Sequence, residues 1–367
     1  MTEFVVVGAG PVGLYVACLL AGAGREVLVL DDADSSTGSR SIGIHPPALE
    51  ALELVDVAEE LLAQGSRIAN ARLMLGSRRV GDLPLDGCPG PYPFVLSLPQ
   101  HLTERSLSLR LEASPSGVLR TRTRAVGIRR SRQGSEVLLD DGGSVDCLLV
   151  LGCDGRRSVV REAAGVRLAG TALEHHYAMA DVPDDAALGC DAVIALCDQG
   201  VVESFPLPGR MRRWVARFSA RPDGLTASDL AHEVVRRTGI QVDAGDARAS
   251  VFTAEKRIAE RLVGDGWALA GDAAHVISPI GGQGMNIGLL GGRALVEALL
   301  NPQRGRALAR YDSTQRRRAS AAARRAGLNM LLGSDHLPPG VRWAALHTVS
   351  LPGLQARFAR YFTMRGL

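Results

Sequence analysis

Hydrophobic positions along this chain follow two different periods, and the switches between them mark the elements. Phe4-Val5-Val6-Val7 is wholly apolar, as a strand buried on both faces requires, and it runs through a glycine turn into an apolar helical stretch ending near Leu20. A second strand, Glu26-Val27-Leu28-Val29-Leu30, follows. Residues Ala48 to Gln64 predict a helix with Leu49, Leu52, Val55, Ala58 and Leu62 on its apolar side. From Ala71 the pattern shortens to alternating segments broken at Gly76, Pro84, Gly87, Pro89 and Pro93, which predicts antiparallel strands. A helix is expected from His101 to Glu112. Val137-Leu138-Leu139 and the run Val145 to Leu151, joined by Asp140-Asp141-Gly142-Gly143, read as a hairpin whose second arm is buried. Between Ala172 and Val251 strand patterns return at Ala192 to Cys197, Val201 to Phe205 and Trp214 to Phe218, interrupted by a helix from Ala227 to Arg237. Trp267 to Ala270 is another short strand. Beyond Gly284 the chain reads as mainly helical, and it contains no internal repeat or low-complexity linker.

The strands near residues 148 and 268 belong beside the first one, so the chain is expected to build an α/β, Rossmann-like nucleotide-binding domain discontinuously. Residues 1–70, 98–171 and 264–367 are assigned to it, with the C-terminal helices. Residues 71–97 and 172–263 form the inserted, sheet-rich domain, expected to bind the substrate.

Composition changes this picture little. The 367 residues are 46% hydrophobic and 22% charged with a net charge of +3, an ordinary globular balance that calls for neither nucleic acid nor an acidic membrane surface. Lys256 is the only lysine among the basic residues. Cys18, Cys88, Cys147, Cys153, Cys190 and Cys197 include no CxxC pair and read as reduced thiols, without structural zinc or other metal. Phe4 to Gly24 lacks a charge, but Glu3 stands where a signal peptide is basic, and glycines with a proline interrupt the run. A cytoplasmic protein without a membrane span is expected.

Chemistry enters at the glycine turn. In Gly8-Ala9-Gly10-Pro11-Val12-Gly13 the spacing suits a tight turn at Gly8, approach of a pyrophosphate to the main chain at Gly10, and close helix packing at Gly13. Free amides at the helix start then face the phosphates. About eighteen residues beyond Gly13, Asp31-Asp32 ends the second strand, where a carboxylate accepts hydrogen bonds from a ribose diol; Asp31 is the expected partner and Asp32 the alternative. Two more strand ends carry motifs, Gly152-Cys153-Asp154-Gly155 and Gly271-Asp272-Ala273-Ala274-His275, the latter followed by Pro279-Ile280-Gly281-Gly282-Gln283-Gly284-Met285-Asn286 and a helix. That helix N-terminus offers amides to an anionic group, and its glycines leave room for a flat ring.

These motifs, with Arg40 in Ser39-Arg40-Ser41-Ile42-Gly43-Ile44-His45-Pro46, resemble the class A FAD-dependent monooxygenases, the aromatic-ring hydroxylases, over almost the whole chain. The likeness is to the compact form without a thioredoxin-like C-terminal domain. The resemblance implies an FAD-binding domain in which Asp31 holds the adenosine ribose, Arg40, Ser41 and Gln100 contact the flavin side, and Asp272 binds the ribityl or pyrophosphate part. Asp154 would lie near FAD and the nicotinamide path, while Pro279 and the amides of Gly282, Gly284, Met285 and Asn286 flank the ring. Where the family often has an Asp in the following helix, this chain has Gly291-Gly292.

On that resemblance NADH or NADPH, a transient co-substrate, reduces the flavin, O2 adds at C4a, and the distal oxygen of the hydroperoxide passes to an aromatic or polycyclic small molecule. The hard chemistry is the cofactor's, so no catalytic acid, base or nucleophile is expected of the chain. Tyr177, Phe205, Trp214 and Pro279 are the candidate substrate contacts, with His175, His176 and Arg213 beside them, although alternation makes about half of such strand residues core. His275 reads as structural, and Arg316-Arg317-Arg318 with Arg324-Arg325 as a solvated helix face. Rival functions are an FAD-dependent halogenase, an FAD-dependent reductase, and a non-catalytic binding protein like the GDP-dissociation inhibitors. The protein would be a monomer or homodimer.

Overall fold

The computed structural model describes residues 2–33, 41–132, 134–184, 188–278, 281–334 and 337–366, apart from the side chains of 172–174. Arg40 and Pro279, both expected at the site, lie outside the described residues.

Two large sheets share the chain. In the first, Trp267–Leu269, Ser144–Gly152, Thr2–Val7, Val27–Leu30 and Gly117–Arg120 lie side by side and parallel, with Val263–Gly264 antiparallel at one edge. The strands expected beside the opening one are therefore there, drawn in from 142 and 265 residues away along the chain, as the starts of Thr2–Val7, Ser144–Gly152 and Trp267–Leu269 indicate. Both faces of these strands are covered, which is why they read as unbroken apolar runs: Val5, Val6, Val150, Leu151 and Ala268 have no exposed surface. The predicted hairpin also forms, with Gly134–Leu139 antiparallel to Ser144–Gly152.

The second sheet runs His275–Val276, Ser250–Ala259, Leu168–Pro183, Met211–Phe218, Val202–Leu207, Ala192–Leu196, Asn70–Leu75, Arg78–Pro84. It is antiparallel except where Ala192–Leu196 meets Asn70–Leu75. Its sixteen-residue strand Leu168–Pro183 passes without a break through residues 171 and 172, where the sequence pattern divides the two domains. One face is covered by the helix Ala227–Thr238, whose start is fixed by a capping box between Thr226 and Asp229 and whose end is fixed by Gly239 in the left-handed region. Gly43–Ile44, Val95–Ser97 and Ser66–Ile68 form a small third sheet.

One element departs from its expectation. The helix read from Ala48 to Gln64 is two helices, Pro46–Glu53 and Ala58–Gln64. The break falls at Asp56, whose φ of 59° ends the first helix, and Arg110 holds it there by donating to Val55 O at 3.0 Å and Asp56 Oδ2 at 3.2 Å. Periodicity is blind to this, because both halves keep their apolar residues in phase.

Packing of the helices on the parallel sheet depends on absent side chains. A Cβ on Gly13 would lie 1.9 Å from Gly8 O, one on Gly288 2.6 Å from Val12 Cγ2, and one on Gly292 2.9 Å from Val16 Cγ2. Gly291 likewise makes room for the Gln315 amide, which donates to Ile287 O, so the pair Gly291-Gly292 is a packing feature joining Gln283–Leu299 to its neighbours Pro11–Gly22 and Arg304–Leu332. Gly13→Ala is expected to destabilise the chain by about 3 kcal/mol or more, since backbone must move. Tyr15→Phe, which removes only the buried hydroxyl donating to Ala51 O, should cost about 1 kcal/mol. Urea unfolding of the two variants side by side checks both values.

Candidate functional site

A cavity of about 700 Å³ lies between the two large sheets. Its first wall is built from strand ends of the parallel sheet and the helix starts that follow: Gly10, Pro11 and Val12, Gly155 and Arg156, Gly271 and Asp272, Gly282, Gly284 and Met285. Ser41 and Gln100 line it as well, Gln100 donating to Glu104 at 2.8 Å. Neither the helix Pro11–Gly22 nor Gln283–Leu299 has a side-chain cap, so the amides of their first turns are left for a ligand. A Cβ on Gly10 would meet nothing within 4 Å, leaving the cradle open on that side. Two uncapped helix starts and an open glycine suit the phosphates and flat ring of a dinucleotide, and the residues present fit FAD.

Asn286 ties this wall together. Its Oδ1 accepts from His45 N at 2.8 Å and its Nδ2 donates to Gly43 O at 2.8 Å and Gly282 O at 2.6 Å. The side chain expected beside a flavin ring is thus fully engaged in clamping the segment 41–45 to the glycine loop. His45 is buried there, and burial pushes its imidazole down to about 4, so it is neutral at physiological pH.

The acidic residues divide. Asp31 does not line the cavity: its carboxylate accepts from Ala9 N and Ala33 N, bracing the glycine turn, while Asp32 is exposed. Gly8 and Gly13 also lie beneath the turn rather than on the cavity surface. Asp154 points inward, where Oδ2 accepts from Val160 N at 3.2 Å and Oδ1 has no partner; burial raises its carboxyl, opposed by the Ser158 hydroxyl and helix amides. Asp272 does face the cavity. Surrounding protein lifts its carboxyl to about 6, opposed by Arg156, although its exposure to the open cavity lets solvent screen that rise.

The second wall is one face of the antiparallel sheet. Leu73, Met179, Ile194, Leu196, Val215 and Phe252 make it apolar, and Phe205 joins them as expected. Trp214 does not reach it. Strand alternation sends Arg213 and Val215 toward the cavity and Trp214 to the opposite face, where it packs beneath Leu230 and Val234. Tyr177 is fully buried within the wall, stacked on Phe252 at 5.4 Å, and does not line the cavity. His175 accepts from Arg217, His176 meets Thr253, and His275 is buried beside Gln315, all three away from the lining. Arg213 lines the cavity while holding Asp181 by two bonds of 2.6 and 2.8 Å.

Three contributions escape a reading of motifs. Ala345, Leu346, Val349 and Phe362 from the C-terminal helices close the apolar end, and nothing in their sequence names a partner. Arg156 and Glu255 meet at 3.8 Å across the two sheets. Glu203 lines the cavity with 8% of its surface exposed, and burial pushes its carboxyl up to about 7. Its signal was visible as one acid inside the apolar strand Val201-Val202-Glu203-Ser204-Phe205.

Two outcomes are expected from this geometry. Asn286→Asp sets a carboxylate against the carbonyls of Gly43 and Gly282, and should lower the melting temperature more than Asn286→Ala does. For Glu203, both folded and unfolded chains are protonated below about 4.5, and the unfolded chain ionises first as pH rises. Stability relative to Glu203→Gln therefore falls between about pH 4.5 and about 7, by up to about 3 kcal/mol, and then stays level. Urea titrations of both proteins at about pH 5 and about pH 8 measure the difference.

Comparison with known proteins agrees with these features. Residues 1–326 match the family described as FAD binding domain. The chain is 33% identical over 317 residues to 6-methylpretetramide 4-monooxygenase of Streptomyces rimosus, covering 83% of this chain and 57% of that protein. It is 30% identical over 296 residues to dialkyldecalin synthase of Streptomyces rugosporus, covering 78% and 62%. The crystal structure of p-nitrophenol 4-monooxygenase PnpA from Pseudomonas putida DLL-E4 superposes with a TM-score of 0.87 at 21% identity, covering 100% of this chain and 98% of that one, a likeness of fold. The chain spans about three-fifths of the length of the first relatives it matches, from 57% to 62%. With its glycine turn, its two strand-end motifs and its uncapped helix starts all on one cavity wall, the chain belongs to the FAD-binding domain family, as its resemblance to class A flavoprotein monooxygenases implied.

Proposed function

We propose that this chain is an FAD-dependent monooxygenase that uses NADH or NADPH and O2 to hydroxylate an aromatic or polycyclic small molecule. The observation that carries this reading is that the glycine-rich wall and the apolar sheet face enclose one cavity of about 700 Å³, so a molecule on the sheet lies against the ring site. FAD, when bound, supplies the oxygen-transfer chemistry, and the chain supplies binding, orientation and a dry site.

In this reading the amides of Gly10 and Val12 hold the pyrophosphate with help from the helix dipole, while Pro11, which has no N–H, starts the helix. Asp272 accepts from ribityl hydroxyls, Asp31 fixes the turn and the ribose, and the amides from Gly282 to Met285 lie along the ring, with Asn286 keeping that loop in place. Ser41 and Gln100 approach from the other side. Residues of the second sheet and the C-terminal helices hold the substrate and keep water out. A halogenase resembling this fold is expected to carry a catalytic lysine, and the one lysine, Lys256, does not line the cavity, which disfavours that reading.

Purified protein should show the absorption bands of oxidised flavin and take up oxygen with NADH or NADPH in a manner stimulated by phenolic or polycyclic compounds. Flavin without any uptake would favour the reductase. A colourless protein that fails to take up added FAD would leave the binding-protein reading. Gly10→Ala is expected to keep the wild-type melting temperature in the apoprotein while weakening FAD at least about tenfold, because its Cβ has space in the fold but stands where the pyrophosphate approaches.

A further inference from the structure

Glu203 sits in the middle strands of the apolar wall. Its cross-strand neighbours are Ile194 and Val215, and Leu196, Met179 and Phe252 lie on the same cavity face. Only 8% of it is exposed, and none of the hydrogen bonds or ion pairs among the described residues reaches its carboxylate. The other charges on this side of the sheet are engaged: Arg213 by Asp181, Arg217 by His175, and Glu255 by Arg156. The Tyr177 hydroxyl is buried without a partner; burial raises it, and the nearby Glu203 charge adds to the rise.

A carboxyl in such surroundings costs stability, and a leucine of similar size would fill the same space without that cost. What can satisfy it there is a partner that arrives with the ligand. We infer that Glu203 reads a hydroxyl group on an otherwise apolar aromatic ligand by accepting its hydrogen bond, and so sets which ring edge is held at the sheet. The inference rests on the proposed aromatic substrate and adds the polar group that selects among such substrates. A ligand lacking the hydroxyl would bury the carboxyl with nothing to satisfy it, which makes this unpaired acid discriminating in a wall that contributes mainly area.

The test uses purified holoprotein and two probes of nearly equal size, 2-naphthol and 2-methoxynaphthalene, titrated calorimetrically. Wild-type protein is expected to bind the naphthol at least about tenfold more tightly, the difference one hydrogen bond to a charged group makes. Glu203→Leu should shrink the preference to less than about threefold by weakening the naphthol while the methoxy compound holds or gains. Glu203→Gln, whose amide oxygen still accepts, should fall between, and carries the comparison if Glu203→Leu does not fold. Absence of a preference in wild-type protein, its survival in Glu203→Leu, or failure of both naphthalenes to bind overturns the inference. Flavin content and oxygen uptake are read separately. A Glu203-dependent preference in a protein without oxygen uptake would sink the monooxygenase reading alone, and uptake without that preference would sink only the role of Glu203.

Discussion

Close approach of backbone to backbone at the glycine turn is the constraint on which the rest of this structure depends. A Cβ on Gly8 would lie 2.5 Å from Cys153 O and 2.8 Å from Asp154 Cα, so the turn after the first strand touches the turn after the strand Ser144–Gly152 with no side chain between them. Gly8 holds a φ of 103°, which an L side chain rarely adopts, and its amide donates to Leu30 O at 2.8 Å. Three turns from distant parts of the chain are thereby brought within contact: Gly8 to Gly13, Cys153 to Gly155, and Gly271 to Asp272. Were Gly8 or Gly13 given a side chain, the helix start would move off the strand end and the cavity wall would lose its continuity.

Electrostatics follows from that packing. Two uncapped helix starts concentrate free amides on one wall, a positive potential that suits phosphates. The acids nearby are consumed in ways that keep the wall positive: Asp31 is taken up by Ala9 N and Ala33 N, and Asp154 turns inward onto Val160 N. Asp272 alone among the expected acids faces the cavity, beside the compensating charge of Arg156. The opposite wall is mainly apolar, and its charges at Arg213 and Glu255 are paired, which gives Glu203, the unpaired carboxyl there among the described residues, an influence that a surface acid would lack.

Much of the site was legible because its requirements are local. Glycines at 8, 10 and 13 are demanded by the turn itself, and a reader of the chain can place an anion there from spacing alone. Residues such as Asp154 and Asn286 show the limit. Their positions in the motifs are as expected, yet their side chains serve the protein, one capping a short helix and the other joining Gly43 to Gly282 across more than two hundred residues. Trp214 shows another: within one strand, neighbours face opposite sides, and the sequence does not say which side holds the ligand. Periodicity also joined Pro46–Glu53 to Ala58–Gln64, because a turn at Asp56 leaves the apolar phase intact.

From its sequence this protein already had a parallel sheet opening on a glycine turn, strand ends carrying turn motifs and a run of further strands, since each is encoded by contiguous apolar runs and turn residues that act within a few positions. What only the tertiary structure decided is the second half of the cavity. The face of the antiparallel sheet that turns inward, the closure by Leu346, Val349 and Phe362, and the isolation of Glu203 among apolar neighbours all arise from contacts between segments far apart in the chain. Such contacts are chosen by how surfaces fit in space, and the order of residues along a strand carries no record of which surface it will meet.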